Sequence, residues 1–160
     1  MLRVIFDTNV YGHLFEEADV VELEQKIVSD KSFVVYGFQL VRKELRDSTR
    51  DSRIFLLELY DRITKDRMFM NSEKTVSLAK GYYRQYREAG GSKDWGKMGV
   101  DFMVVACATL NNLDVVCSGD EKTLMSELTQ LVYKKVHILK GHRTPNFWNY
   151  EDLLERFRKR

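Results

Sequence analysis

Proline is nearly absent from this sequence, with one residue, Pro145, in 160. Helices are therefore free to run without interruption, and a chain with 44% hydrophobic and 31% charged residues is neither disordered nor fibrous. Long apolar runs are also missing. The stretches "FVVYGFQLV" and "FMVVACATL" fall short of the roughly 18 residues that a bilayer crossing needs. The opening "MLRVIFDTN" has no basic segment followed by an apolar one, so neither export nor a membrane anchor is expected. Cysteine is scarce: Cys107 falls in a helical pattern and Cys117 in a strand pattern, without metal-finger spacing. Both are expected as reduced core residues of a cytoplasmic protein. The three histidines, His13, His137 and His142, show no ligand spacing and are expected at the surface or in the core. Nor is there an excess of one charge: 26 Lys and Arg against 24 Asp and Glu leave 26 − 24 = +2, too balanced for composition to identify a nucleic-acid binder.

What the sequence does contain is alternation. Strand patterns at 2–6, 33–36, 67–70, 114–117 and 136–139 are separated by helical patterns at 9–16, 19–29, 38–48, 52–65, 73–88, 100–111, 122–132 and 150–158. This is the signature of an α/β fold with a central parallel sheet covered on both faces. No linker or repeat divides it, so residues 1–160 are read as one domain. Ser72 and Asn149 stand where helix caps are expected. "EAGGSKDWGKMG" reads as a flexible glycine-rich loop, and "KGHRTPNFW" as a second loop.

Four acids stand out from this pattern. Asp7 follows the first apolar strand in "VIFDTNV", and Asp120 follows a late one in "VVCSGD". In open parallel sheets, residues just past the carboxyl ends of neighbouring strands share one edge. Taken alone, each is better read as a cap on the helix after it. At 100° per residue, Glu44 falls among Leu40, Val41, Leu45 and Ser48 on one face of its helix, so it is expected to point inward and to need a cation. Asp101 opens the most apolar helix, "VDFMVVACATL".

Taken together, "VIFDTNV", "LVRKELRD" and "GVDFMVVACATLNNLDVVCSGD" resemble the PIN-domain ribonucleases. That family's pattern is Asp-Thr or Asp-Ser-Asn after strand one, Glu in a helix, Asp opening a buried helix, and Thr/Ser-x-Asp after strand four. The resemblance spans nearly the whole chain. It implies a three-layer α/β/α sandwich and a divalent-metal-dependent endoribonuclease that leaves a 5′ phosphate and a 3′ hydroxyl on RNA. By that similarity Asp7, Glu44, Asp101 and Asp120 are the catalytic acids and metal ligands, while Asn9 and Ser118 are polar supports where substrate binds. It also implies a homodimer. The role implied for a single domain of this size is a VapC-like toxin held by a small antitoxin protein, with a solitary RNA-processing nuclease as the alternative. Leu124, where many relatives carry an aromatic, and the loop bearing Lys93, Asp94, Trp95 and Lys97 depart from the pattern.

Two carboxylates 4 Å apart repel by about 4 kcal/mol at an effective dielectric near 20, so a cluster of four requires divalent cations or retained protons. Mg²⁺ or Mn²⁺ suits such a set, being oxygen-seeking ions that keep several waters. An anionic substrate would then need cations at the rim. Arg42, Lys43, Arg46, Arg50 and Arg53 near Glu44, Lys93 and Lys97 beside Trp95, and the terminal "RFRKR" are the candidates, with Trp95 able to stack on an unpaired base. "YYRQY" at 82–86 is expected to pack. From a different class, a phosphoacceptor receiver or other Mg²⁺-binding α/β module would use acids without cutting RNA. A receiver wants an acid pair after strand one and an Asp after strand three, whereas these positions read "DTN" and "FMNSEK". A catalytically silent PIN domain is a further alternative, less favoured because no acid of the set is missing.

Overall fold

The computed structural model describes residues 1–48 and 51–158. Its single sheet has five strands, β1 (Leu2–Phe6), β2 (Phe33–Phe38), β3 (Met68–Phe69), β4 (Val115–Cys117) and β5 (Asn146–Trp148), ordered β3-β2-β1-β4-β5. Every pairing is parallel. Among the described residues there are eight helices: α1 (Thr8–Glu16), α2 (Val20–Ser29), α3 (Gln39–Arg46), α4 (Arg53–Thr64), α5 (Glu73–Glu88), α6 (Trp95–Leu110), α7 (Glu127–Lys140) and α8 (Tyr150–Arg158). The group α5, α6 and α7 packs together, as does the group α1, α2, α4 and α8. The result is the expected three-layer α/β/α sandwich.

The central strands are apolar on both faces because helices cover both: Val4, Ile5, Val115 and Val116 are all buried. Cys107 and Cys117 are free thiols inside this core. The "YYRQY" segment packs as expected, with Tyr82 and Tyr86 buried. Capping sets several boundaries. Ser72 accepts a hydrogen bond from the Thr75 N–H at 3.2 Å, and Asn149 accepts one from the Asp152 N–H at 2.8 Å.

Two expectations fail. The β-branched and apolar residues at 136–139 belong to the end of α7, and the fifth strand is Asn146–Trp148. The longer pattern wins, because Thr129, Val132, Tyr133, Val136 and His137 are buried at helical spacing. Ser126 caps that helix and Gly141, at φ +73°, ends it, so α7 begins later and runs further than the expected 122–132. The glycine-rich segment also differs, since α6 starts at Trp95 instead of 100. Asp94 caps α6 by accepting from the Lys97 N–H at 3.0 Å, which gives this loop acid a structural task. Gly99 lets the Trp95 ring lie against the backbone: a Cβ there would stand 2.9 Å from Trp95 Cε2. Glycine is tolerated inside this helix because the indole occupies its missing side chain's place.

Candidate functional site

The sheet order puts a topological switch at β1 and β4. The chain leaves β1 for β2 on one side and reaches β4 on the other, which opens a crevice past their carboxyl ends. Phe6 pairs with Cys117, and the Asp7 N–H donates to the Cys117 carbonyl at 2.9 Å, so Asp7 and Ser118 leave the sheet side by side. A cavity of about 610 Å³ opens there, and Asp7, Glu44, Asp101 and Asp120 all line it. The structure thus brings all four acids predicted from the sequence to one cavity.

Asp7 is 4% exposed. One of its oxygens accepts from the Thr8 N–H at 2.8 Å and the other from the Ser118 hydroxyl at 3.0 Å. The Ser118 oxygen accepts in turn from the Asp120 N–H at 3.0 Å. Ser118 was expected where substrate binds, but it is fully buried and instead fixes Asp7 relative to the Asp120 turn. Asn9 is half-buried on the cavity wall, and its Oδ1 accepts from the Gly119 N–H at 2.9 Å, pinning the same turn.

Asp101 is not at the start of its helix. It sits in the second turn of α6, which begins at Trp95. Its Oδ2 lies 2.9 Å from Thr123 Oγ1, which is also hydrogen-bonded to Asp120 Oδ2. Asp120 Oδ1 accepts from the N–H groups of Lys122 at 3.0 Å and Thr123 at 2.9 Å. Glu44 departs from expectation: it is exposed at the cavity mouth, where its Oε1 accepts from the Thr8 hydroxyl at 2.5 Å. Solvent at the mouth therefore solvates the Glu44 carboxylate, and burial does not oblige it to hold a cation. The helical face was assigned correctly, but that face opens onto a cavity and not onto the core.

These environments separate the acids. Burial, then the negative charge of Asp7, pushes Asp101 up to about 8. Burial pushes Asp7 up to about 6, with help from Glu44 and Asp120 and against its two hydrogen bonds. Burial acts on Asp120 as well. There the Thr123 hydroxyl, the two N–H donors and the charge of Lys93 outweigh it and hold Asp120 below the ordinary carboxylate value. A hydroxyl has one proton to donate, so Thr123 satisfies both neighbours when protonated Asp101 donates to it and it donates to ionised Asp120.

Among the described residues no Lys or Arg forms an ion pair with any of the four acids. Three of the expected rim cations are engaged elsewhere, Arg42 with Asp61 at 3.1 Å, Arg46 with Asp47 at 3.4 Å, and Arg158 with Glu17 and Asp19 at 2.5 and 2.7 Å, whereas Lys93 acts on Asp120 through its charge. Arg50 and the last two residues of "RFRKR" lie outside the described residues. Trp95 is half-buried with its ring edge-on to Tyr83 at 5.6 Å, an arrangement of packing and not of an open stacking platform. Among the described residues no three His, Cys, Asp or Glu side chains stand together as a ready-made metal-ligand set.

Sequence reasoning missed Thr8, Thr123 and the wall formed by His13. Thr123 was legible only as the third residue after Asp120, the spacing at which an acid caps a turn. His13 is exposed on the cavity wall, 5.0 Å from the Tyr150 ring, and its imidazole fills the space where a Cβ on Gly119 would fall. Compared with models of known protein families and with curated proteins, the chain matches none.

Proposed function

We propose that this chain is a divalent-metal-dependent endoribonuclease of the PIN-domain kind, with Asp7, Glu44, Asp101 and Asp120 as its working acids. One observation carries the reading: four carboxylates line a single cavity at the sheet's switch point, and no ion pair with Lys or Arg neutralises them among the described residues. Carboxylates that share one cavity without a direct ion pair repel one another, which makes the cavity a favourable place for a divalent cation.

The donor chemistry fits Mg²⁺ or Mn²⁺. Such ions take one or two carboxylates and complete their shell with waters and substrate phosphate, so a ready-made set of three protein ligands is not required. Asp7, Asp101 and Asp120 would hold the metal, and Glu44, exposed at the mouth, would ligate it or orient the attacking water. When bound, the ion supplies a water of lowered pKa and offsets charge on the leaving oxygen. The protein does the positioning. Ser118 and the Thr8 N–H fix the Asp7 carboxylate, the Thr8 hydroxyl fixes Glu44, and the Thr123 hydroxyl links Asp101 to Asp120, where a bound cation would take the place of the Asp101 proton.

Within this reading the chain acts on RNA in the cytoplasm, as a homodimer, in the role of a toxin silenced by a small antitoxin. Ile54 and Phe55, 60% and 57% exposed beside the cavity-lining Leu56, offer such a protein an apolar foothold. No described helix is long and apolar enough to cross a membrane. The test is cleavage of a mixed pool of single-stranded and structured RNA with Mg²⁺ or Mn²⁺. Asp7→Asn and Asp101→Asn are expected to abolish cleavage while keeping the fold; full activity in either ends the assignment.

A further inference from the structure

A second groove adjoins the acid cavity, and we propose that it seats an unpaired nucleobase next to the scissile phosphate. The inference rests on the nuclease reading above. The groove, about 380 Å³, lies between α3 and α6 and is lined by Leu40, Lys43, Glu44, Asp47, Val100 and Met103. Glu44 and Asp47 also line the acid cavity, so the two spaces are continuous across one lip.

Helix geometry explains why one pair of helices builds both. Val100 and Met103 are three residues apart and share a face of α6, whereas Asp101, one residue on, is turned by about 100° toward the acids. On α3, Leu40 and Glu44 are four apart on one face, so the apolar floor leads directly to a carboxylate of the site. Leu40, Val100 and Met103 are only half-buried, which leaves their side chains in reach of a ligand.

The occupant is defined by its neighbours. An apolar floor with a methionine suits the face of a flat aromatic ring, since the thioether packs well against π systems. The exposed Lys43 at the edge offers a point charge to a backbone phosphate. A nucleotide meets both requirements, since its flat base is tethered to the phosphate that Lys43 would meet. In a duplex that face is covered by stacking, so only a splayed, unpaired base enters.

The experiment has two independent arms. In the first, methionine methyl groups are labelled and the metal-free protein is titrated with uridine or adenosine, uncharged probes that the acids do not repel. The Met103 methyl resonance is expected to move and saturate while those of Met98 and Met125, buried in the core, stay in place. An unmoved Met103 overturns the proposal. In the second, cleavage of single-stranded RNA is compared with that of the same RNA carrying an abasic residue beside the scissile bond, using wild type, Met103→Ala and Met103→Leu. Losing the base or truncating Met103 is expected to reduce kcat/KM about tenfold, in line with the loss of one base contact. The two losses should not multiply when combined, and Met103→Leu should restore most of the rate. Multiplying losses, or an abasic RNA cut at the full rate, overturn the subsite alone. If no RNA is cut yet Met103 still responds to nucleoside, the nuclease reading fails and the base site stands.

Discussion

Replacing Asp101 by Asn should stabilise the metal-free protein, increasingly so as pH rises. Asp101 binds its proton more tightly in the folded chain, at about 8, than an ordinary Asp carboxyl does at 3.8. Between those values the folded state holds more protons than the unfolded one, so Asp101 makes stability fall as pH increases through that window. Each pH unit inside it is worth about 1.4 kcal/mol, so the gain from Asn should be about 3 kcal/mol larger at pH 7 than at pH 5. For a domain of this size that corresponds to roughly 6–12 °C in Tm. Asn keeps the shape of the protonated acid and can still donate to Thr123. The comparison must be variant against wild type because the buried His137 works in the opposite direction. Burial lowers it to about 4, so its contribution to stability grows as pH rises from there to 6.5. Thermal unfolding in chelator at pH 5, 6 and 7 measures the difference. A gain that is absent, or that does not grow with pH, refutes the claim that folding forces a proton onto Asp101.

Saturating Mg²⁺ or Mn²⁺ should raise the Tm of wild type, by about 2.7 kcal/mol of stability at a hundred times Kd, and should leave Asp7→Asn nearly unmoved; calorimetry with and without chelator checks this. Ser118→Ala removes the donor to Asp7 and the acceptor for the Asp120 N–H, and should cost about 1–3 kcal/mol in denaturant unfolding together with a fall in kcat. Thr123→Val keeps the volume but breaks the Asp101–Asp120 link, so cleavage should weaken and stability at neutral pH in chelator should drop by about 1–2 kcal/mol. Gly37→Ala places a Cβ 2.1 Å from the Tyr60 hydroxyl oxygen in the core and should destabilise by about 1–3 kcal/mol without changing the pH response.

The parts of the fold legible in the sequence were those governed by local pattern. β1, α5 and α8 came out at their expected positions because short apolar runs, helical spacing and cap residues act within a few neighbours. The failures arose where a local signal competed with a larger one. Residues 136–139 look like a strand in isolation and are helical because four turns of α7 share one buried face. The glycines at 96 and 99 suggest a loop, and packing against Trp95 makes them part of a helix.

The candidate site divides in the same way. The sequence by itself determined which acids follow strands, which face of α3 carries Glu44, and that the sheet would be parallel, since these depend on chain direction and residue periodicity. Only the tertiary structure decided that β1 and β4 are neighbours, which brings Asp7 and Asp120 to one edge. It also decided that Glu44 is exposed at the cavity mouth, that Ser118 is sealed beneath the site, and that Thr123 lies between two carboxylates. Such contacts join residues up to 111 positions apart. Their burial and mutual repulsion depend on distances through space, which no stretch of sequence contains.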